Sequence, residues 1–361
     1  MASTTSSSSS PASLFGKLLN PAVVAAADHL HKQFVEARPF RHVVIEHFFD
    51  NAFCNRLLQD FPNFDQRAAM NENGEIGGKA TQEKMQQLGP SYRQLDELVQ
   101  SQEFRQLIGE ITGIADLQYD PHYFGGGTHE NRQGQDLDPH VDFNFHPITR
   151  QHRRLNLIVY LNPEWQDDWG GSLQLHKNPY LEPGQDEITT LTPLFNRCVI
   201  FETTESSWHG FERISLPAGR QDLSRKSFAL YYYTDTRPAD ETADEHSTVY
   251  VERHLPSHIQ PGLTLGEADV QVLKTLLARR DQHMRRLYRN IQNLYGENNR
   301  LRSGQLAAGE TNGNEVPDAD QQQLQQLVRG LRTRVRELET STSWRVTKPL
   351  RALKRMFSRG A

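Results

Sequence analysis

Cysteine is nearly absent: the chain has two, Cys54 and Cys198, in 361 residues. Two cysteines exclude a disulfide framework and a cysteine-rich zinc module. A reducing, cytoplasmic setting is the simplest expectation. No apolar run approaches the ~18 residues a membrane span requires, so none is expected. Neither sign of charge dominates, with 40 basic against 45 acidic residues and a net charge of -5. That balance gives no support to a nucleic-acid partner. Residues 1–13 are rich in Ser and Thr and carry no charge. They lack the basic start and apolar core of a secretory signal. Residues 1–27 are expected to form a disordered leader. Phe124-Gly125-Gly126-Gly127-Thr128 lacks the spacing of a phosphate cradle and reads as a flexible rim of the site, and His129-Glu130 lacks the second histidine of a zinc-protease helix.

What is present changes in texture along the chain. Residues 40–45 are short and β-branched and suit a strand. Asn51 is placed to cap a helix carrying Phe53, Leu57 and Leu58. Residues 70–89 are polar and aperiodic and read as a surface loop. Leu95, Leu98, Phe104, Leu107 and Ile111 suit one or two helices. From Leu117 onward, short apolar runs recur at 155–161, 172–176, 198–201 and 228–233, punctuated by Gly170-Gly171, Pro183-Gly184 and Pro217-Ala218-Gly219. Many short strands with turn signals predict a sandwich or barrel, and a double-stranded jelly roll leaves a lined mouth between its sheets. The expected class is α+β: a double-stranded β-helix (jelly roll) over 28–238, with supporting N-terminal helices and a helical extension.

One constellation carries chemistry. His140-Val141-Asp142 places an imidazole and a carboxylate two residues apart, on one face if the segment is a strand. Such a pair means little alone, since 15 histidines and 45 acids give about 15 × 45/361, or roughly two, by chance. His209, just after the 198–201 run, supplies a second imidazole from another strand. Two histidines and one carboxylate on one face leave open positions for a co-substrate and O2, the ligand set of non-haem Fe(II) oxygenases. His146 and His152 are weaker rivals, since both lie in or beside polar turns. Such iron needs two electrons beyond those of its substrate, and 2-oxoglutarate is the usual donor. The far carboxylate of 2-oxoglutarate then needs a cation. Arg225 opens the last apolar run, Ser227 follows on the same face, and Tyr160 can donate from a neighbouring strand. A planar guanidinium suits a carboxylate because it makes two parallel charge-assisted bonds.

His140-Val141-Asp142, the run 154–162 ending Tyr160-Leu161-Asn162, Gly170-Gly171-Ser172-Leu173, His209 and the run 225–231 together resemble the Fe(II)/2-oxoglutarate dioxygenase domain of prolyl 4-hydroxylase type. The hypoxia-inducible-factor prolyl hydroxylases are similar over about 117–234. The resemblance implies Fe(2+) held by His140, Asp142 and His209, 2-oxoglutarate held by Arg225, and L-ascorbate as an auxiliary reductant. It further implies that the family's strand tyrosine falls on Tyr160 and an earlier one on Tyr123. A long loop over 125–137 separates Tyr123 from His140. The substrate it implies is a prolyl residue, or a related amino acid or glycan-linked molecule.

Beyond residue 238 the strand pattern stops. Residues 239–266 read as a linker. Leu273, Leu277, Arg280, Met284, Leu287, Ile291, Leu294, Asn298 and Leu301 alternate spacings of four and three. That heptad seam predicts a coiled-coil helix over 267–302 and self-association as a homodimer, with Asn298 setting register. Residues 303–323 read as a flexible linker. Residues 324–361 read as a helix with a basic amphipathic tail, whose Arg345, Lys348, Arg351, Lys354, Arg355 and Arg359 interleave with Trp344, Leu350 and Phe357. Such a tail can dock on an anionic membrane surface or a protein partner. Residues 341–351 also resemble tails of bacterial glycosyltransferases of surface-polysaccharide assembly. Two alternatives compete with the oxygenase: a non-catalytic jelly-roll scaffold that oligomerises through its helices, and a zinc hydrolase using the same ligands.

Overall fold

The computed structural model describes residues 14–65, 80–256 and 258–309, with side chains through residue 301. The chain divides into two units, residues 1–283 and 284–361. The first opens with α1 (Leu14–Leu18), α2 (Pro21–Ala25) and α3 (Ala27–Glu36). Pro21 suits the first turn of α2, where its missing N–H costs nothing, and Asn20 caps the helix by accepting from the Ala22 amide. Leu18, Leu19 and Val23 are buried in the main core. The expectation of a disordered leader over 1–27 is therefore corrected for 14–27, because these apolar residues have a core to enter; residues 1–13 lie outside the described residues.

β1 (His42–Ile45) leads to α4 (Asn51–Gln59). Its cap is Asp50 rather than Asn51: the Asp50 carboxylate accepts from the Phe53 amide at 3.0 Å. β2 (Ala80–Gln82) follows, a short strand within the segment expected to be loop. α5 (Pro90–Gln100) and α6 (Gln102–Thr112) are separate helices because Ser101 ends one and caps the next, accepting from the Phe104 amide. Their apolar faces (Tyr92, Leu95 and Leu98; Phe104, Leu107 and Ile111) are buried.

The strands then run β3 (Gln118–Tyr119), β4 (Gly127–Asn131), β5 (Leu137–Val141), β6 (His152–Tyr160), β7 (Leu173–His176), β8 (Ile188–Leu191), β9 (Cys198–Glu202), β10 (Trp208–Phe211), β11 (Arg225–Thr234) and β12 (Val249–Tyr250). They form two antiparallel sheets. The larger has the order β1-β9-β6-β11-β4-β2, with β3 also on β11; the smaller has the order β12-β5-β10-β7-β8. This is a double-stranded jelly roll. Strand alternation divides its side chains. Leu155, Leu157, Val159, Phe228, Leu230 and Tyr232 face the helices, while Tyr160, Leu173, Leu175 and Phe201 pack in a second cluster between the sheets.

Three connections depart from the sequence expectation. The loop expected over 125–137 contains β4, which pairs with β11 and β2. The glycine run there is no flexible rim. Gly127 has φ +84, and a Cβ on it would lie 2.1 Å from the Gln82 carbonyl oxygen, so the β2 backbone passes against it. Gly127→Ala is expected to destabilise the chain by about 2–4 kcal/mol, through positive φ and this clash together, read as a lower urea midpoint. The linker expected over 239–266 contains β12, which extends the smaller sheet beside β5. Finally, α7 (Glu267–Gly309) continues through 303–309, where a linker was expected. The exposed apolar side chains in the second unit include Leu287, Ile291, Leu294 and Leu301. Among the described residues, no helix is long and apolar enough to cross a membrane. The basic tail over 324–361 lies outside them.

Candidate active site

β5 and β10 lie side by side in the smaller sheet, with His140 directly opposite His209. Asp142 follows one residue beyond the end of β5. One ligand atom from each of the three lies within 4.8 Å of the others, the one such group of metal-binding residues among the described residues. Both imidazoles are oriented from behind. His140 Nδ1 lies 2.9 Å from the Asp138 carbonyl oxygen, and His209 Nδ1 lies 2.9 Å from the Ser207 carbonyl oxygen. A carbonyl only accepts, so each Nδ1 carries the proton and each Nε2 keeps its lone pair. Those lone pairs face the carboxylate, at 3.7 Å from Asp142 Oδ1 for His140 and 3.5 Å from Oδ2 for His209. Three electron-rich atoms turned on one point suit a divalent cation, and hydrogen bonds behind metal-binding imidazoles are the usual support of such a site.

Asp142 is held by a second set of buried groups. Arg153 Nη2 lies 3.0 Å from Oδ2, and the Asn156 amide donates to the same oxygen at 2.8 Å. Arg153 is 1% exposed, sandwiched over Tyr231 and Phe143, and donates also to Asn156 Oδ1. Burial alone would raise the Asp142 carboxyl. The Arg153 guanidinium, the two imidazoles and the Asn156 amide outweigh it and hold the carboxyl well below the usual carboxylate range. Sequence reasoning missed Arg153 and Asn156. They are three residues apart, which in a regular strand means opposite faces. A β-bulge intervenes: Tyr232 pairs with Leu155 but Tyr233 pairs with Arg153, so one extra residue returns Arg153 to the Asn156 face. The available signal was Asn156 inside the apolar run of β6, with Arg153 just ahead of that run.

Arg225, Ser227 and Tyr160 converge between the sheets. Ser227 pairs in register with Tyr160 on one side and His129 on the other. Arg225, 5% exposed, donates through Nε to the Gly171 carbonyl at 2.6 Å and through Nη2 to the Tyr160 hydroxyl at 3.3 Å. Its guanidinium also lies 4.4 Å from the Phe211 ring, two residues along β10 from His209. Among the described residues no carboxylate pairs with it, and burial lowers its pKa. A buried cation without an acid is costly. The arrangement suits an anionic group. Lys226 points to the opposite face, toward Glu130 and Phe61.

Tyr123 requires correction. Its hydroxyl donates to Asp96 at 2.9 Å, and its ring packs near Phe228 in the core beneath the helices. Phe228 and Arg225 lie on opposite faces of β11, so Tyr123 is not on the face of the sheet that carries Arg225. His146 is likewise elsewhere: its Nε2 lies 3.3 Å from buried Asp120, and its Nδ1 accepts from the Ile148 and Thr149 amides. His152 packs on Phe145 with the two rings tilted 46° from each other.

Residues 126–233 match a family model described as the 2OG-Fe(II) oxygenase superfamily. Over 119 residues the chain is 30% identical to prolyl 3-hydroxylase OGFOD1 of Mus musculus, covering 29% of this chain and 21% of that protein. The chain thus spans about a fifth of that curated relative. Among solved structures, it is similar to a prolyl hydroxylase of Trichoplax adhaerens in complex with a hypoxia-inducible-factor peptide fragment. That match has 17% identity, 62% of this chain, 96% of that one and a TM-score of 0.42. A Pseudomonas putida prolyl-4-hydroxylase matches at 15% identity over 58% of this chain and 99% of its own, with a TM-score of 0.37. The triad lies on adjacent strands of a jelly roll, the 2OG-Fe(II) oxygenase superfamily model matches residues 126–233 and so spans both strands that carry it, and the chain is similar to a prolyl 3-hydroxylase.

Proposed function

We propose that the chain is an Fe(II)- and 2-oxoglutarate-dependent dioxygenase that hydroxylates a prolyl residue or a related amino-acid or glycan-linked substrate. The observation that carries this reading is the pairing of two features. A buried His-Asp-His triad stands near a buried guanidinium that has no acid partner among the described residues. A scaffold protein has no use for a buried unpaired cation, and a zinc hydrolase has no second anion to bind there. Bound Fe(II) supplies the oxidation, in which one atom of O2 enters succinate as 2-oxoglutarate loses CO2 and the other enters a substrate C–H bond.

The protein's residues bind and orient. His140 and His209 present Nε2 because the Asp138 and Ser207 carbonyls hold Nδ1. Asp142 stays ionised because Arg153 and Asn156 sit on it. Arg225 offers paired donors to the distal carboxylate of 2-oxoglutarate, with Tyr160 and Ser227 as hydroxyl donors beside it. The surrounding apolar rings exclude water, which strengthens each of these charge-assisted bonds. L-Ascorbate is the auxiliary reductant in this reading. The exposed apolar stripe of α7 joins two copies as a homodimer, the basic tail docks on an anionic membrane surface or a protein partner, and the working compartment is the cytoplasm.

The test is succinate release by the full chain under air with Fe(II) and 2-oxoglutarate, with and without proline-containing peptides. Expected is Fe(II)-dependent succinate above a His209→Ala control, increased by the right peptide. Succinate equal to the control under all conditions would remove the oxygenase reading.

A further inference from the structure

The family-matched residues end at 233, yet one face of the site is built by residues that come later. Tyr250 on β12 pairs with His140 on β5, so both side chains lie on the same face. Their rings stack, with centroids 5.1 Å apart and planes 29° from parallel. The His283 ring also stacks on Tyr250, at 5.1 Å and 24°. Tyr250 thus stacks with both His140 and His283, three rings drawn from β5, β12 and the first part of α7.

The strand that carries His140 is gripped by the same segment. Asp138, whose carbonyl orients His140, is buried, and its Oδ1 receives Arg253 Nε at 3.1 Å and Arg279 Nη1 at 3.0 Å. Arg279 also bonds Asp136. Arg253 Nη2 donates to two carbonyls, Leu137 at 2.9 Å and Phe211 at 2.7 Å. Leu137 and Phe211 face each other across β5 and β10 where their register shifts after His209. One guanidinium therefore ties the two histidine-bearing strands together where their own ladder is irregular. The Val251 amide adds a bond to the Pro139 carbonyl at 2.8 Å.

We infer that residues 249–283 are a positioning device for the metal centre: Tyr250, backed by His283, holds the plane of the His140 ring, while Arg253 and Arg279 hold the strand that carries it. This rests on the metal-binding reading proposed above. In this inference Tyr250 acts on His140 through its ring face, so the aromatic surface is what positions the imidazole. Groups that orient metal-binding histidines commonly alter metal affinity 10- to 100-fold when removed.

The experiment is Co(II) binding to the full-length apo chain by calorimetry, with the thermal midpoint of each apo protein as a folding control. Tyr250→Ala is expected to weaken Co(II) about tenfold or more, Tyr250→Phe to stay within about twofold of the parent, and His283→Ala to fall between. Were Tyr250→Ala not to fold, His283→Ala would carry the test, with at least threefold weakening expected. Parent-like Co(II) affinity in Tyr250→Ala or, failing that, in His283→Ala overturns the inference alone, as does a Tyr250→Phe protein as weak as Tyr250→Ala. Failure of the parent chain to bind Co(II), or equal binding by a His140→Ala control, overturns the metal reading and this inference with it.

Discussion

Asp142→Ala is expected to lose metal affinity by at least about 100-fold and to release no succinate above background, because one of three ligands and the charge that balances the cation disappear together. It carries a structural penalty as well. Arg153, 1% exposed, would be left with the Asn156 amide and two ring faces but no anion. Stranding one member of a buried ion pair costs about 3–5 kcal/mol. Asp142→Asn is therefore the informative companion: it too lacks the balancing charge, and its side chain fills the same space. Co(II) titration and urea denaturation of the two variants separate the effects. An Asp142→Ala chain that binds Co(II) as tightly as its parent would sink the assignment. The depressed Asp142 carboxyl also has a pH consequence. A carboxyl lowered on folding stabilises the folded chain above its unfolded-state pKa of ~3.9, and that contribution drains away as pH falls below it.

Arg225→Ala is expected to raise the 2-oxoglutarate concentration needed for half-maximal succinate release by about 10²–10⁴-fold. The estimate takes two charge-assisted bonds at ~1.5–3 kcal/mol each, with 1.4 kcal/mol per factor of ten. Co(II) affinity without 2-oxoglutarate is expected to stay within about threefold, since Arg225 bonds Gly171 and Tyr160 and none of the triad. This split between co-substrate and metal distinguishes an anion clamp from general damage. Arg225→Met adds a stability test. Replacing a buried, unpaired guanidinium with an apolar chain of similar length is expected to leave the apo chain as stable as the parent or more so. If half-saturation by 2-oxoglutarate is unchanged in Arg225→Ala, the distal carboxylate lies elsewhere.

The residues at the centre of the site were legible in the sequence because strand periodicity is local. His140 and Asp142, two apart, and Arg225 and Ser227, two apart, each declare a common face wherever the backbone is extended. The jelly roll was legible for a related reason: short apolar runs with turn residues between them have few other ways to bury both faces. Tyr123 shows where such reasoning stops. The jelly roll's helix-packed and inward faces are both lined by aromatic residues, and only the path of the chain sends Tyr123 to Asp96 beneath the helices.

Arg153 lay in plain view but had no legible role, because the bulge that returns it to Asn156 is a register decision made between strands. Tyr250 and His283 lie outside any local pattern, joined to His140 through pairing between segments more than 100 residues apart. The amino-acid order alone pointed to the class of fold and singled out His140, Asp142, His209 and Arg225 as candidates, since each follows from residue type and short-range spacing. Which groups surround and hold them was left to long-range packing, because bulges, strand order and the docking of a distant helix are set by the free energy of the whole core, and no window of neighbouring residues contains it.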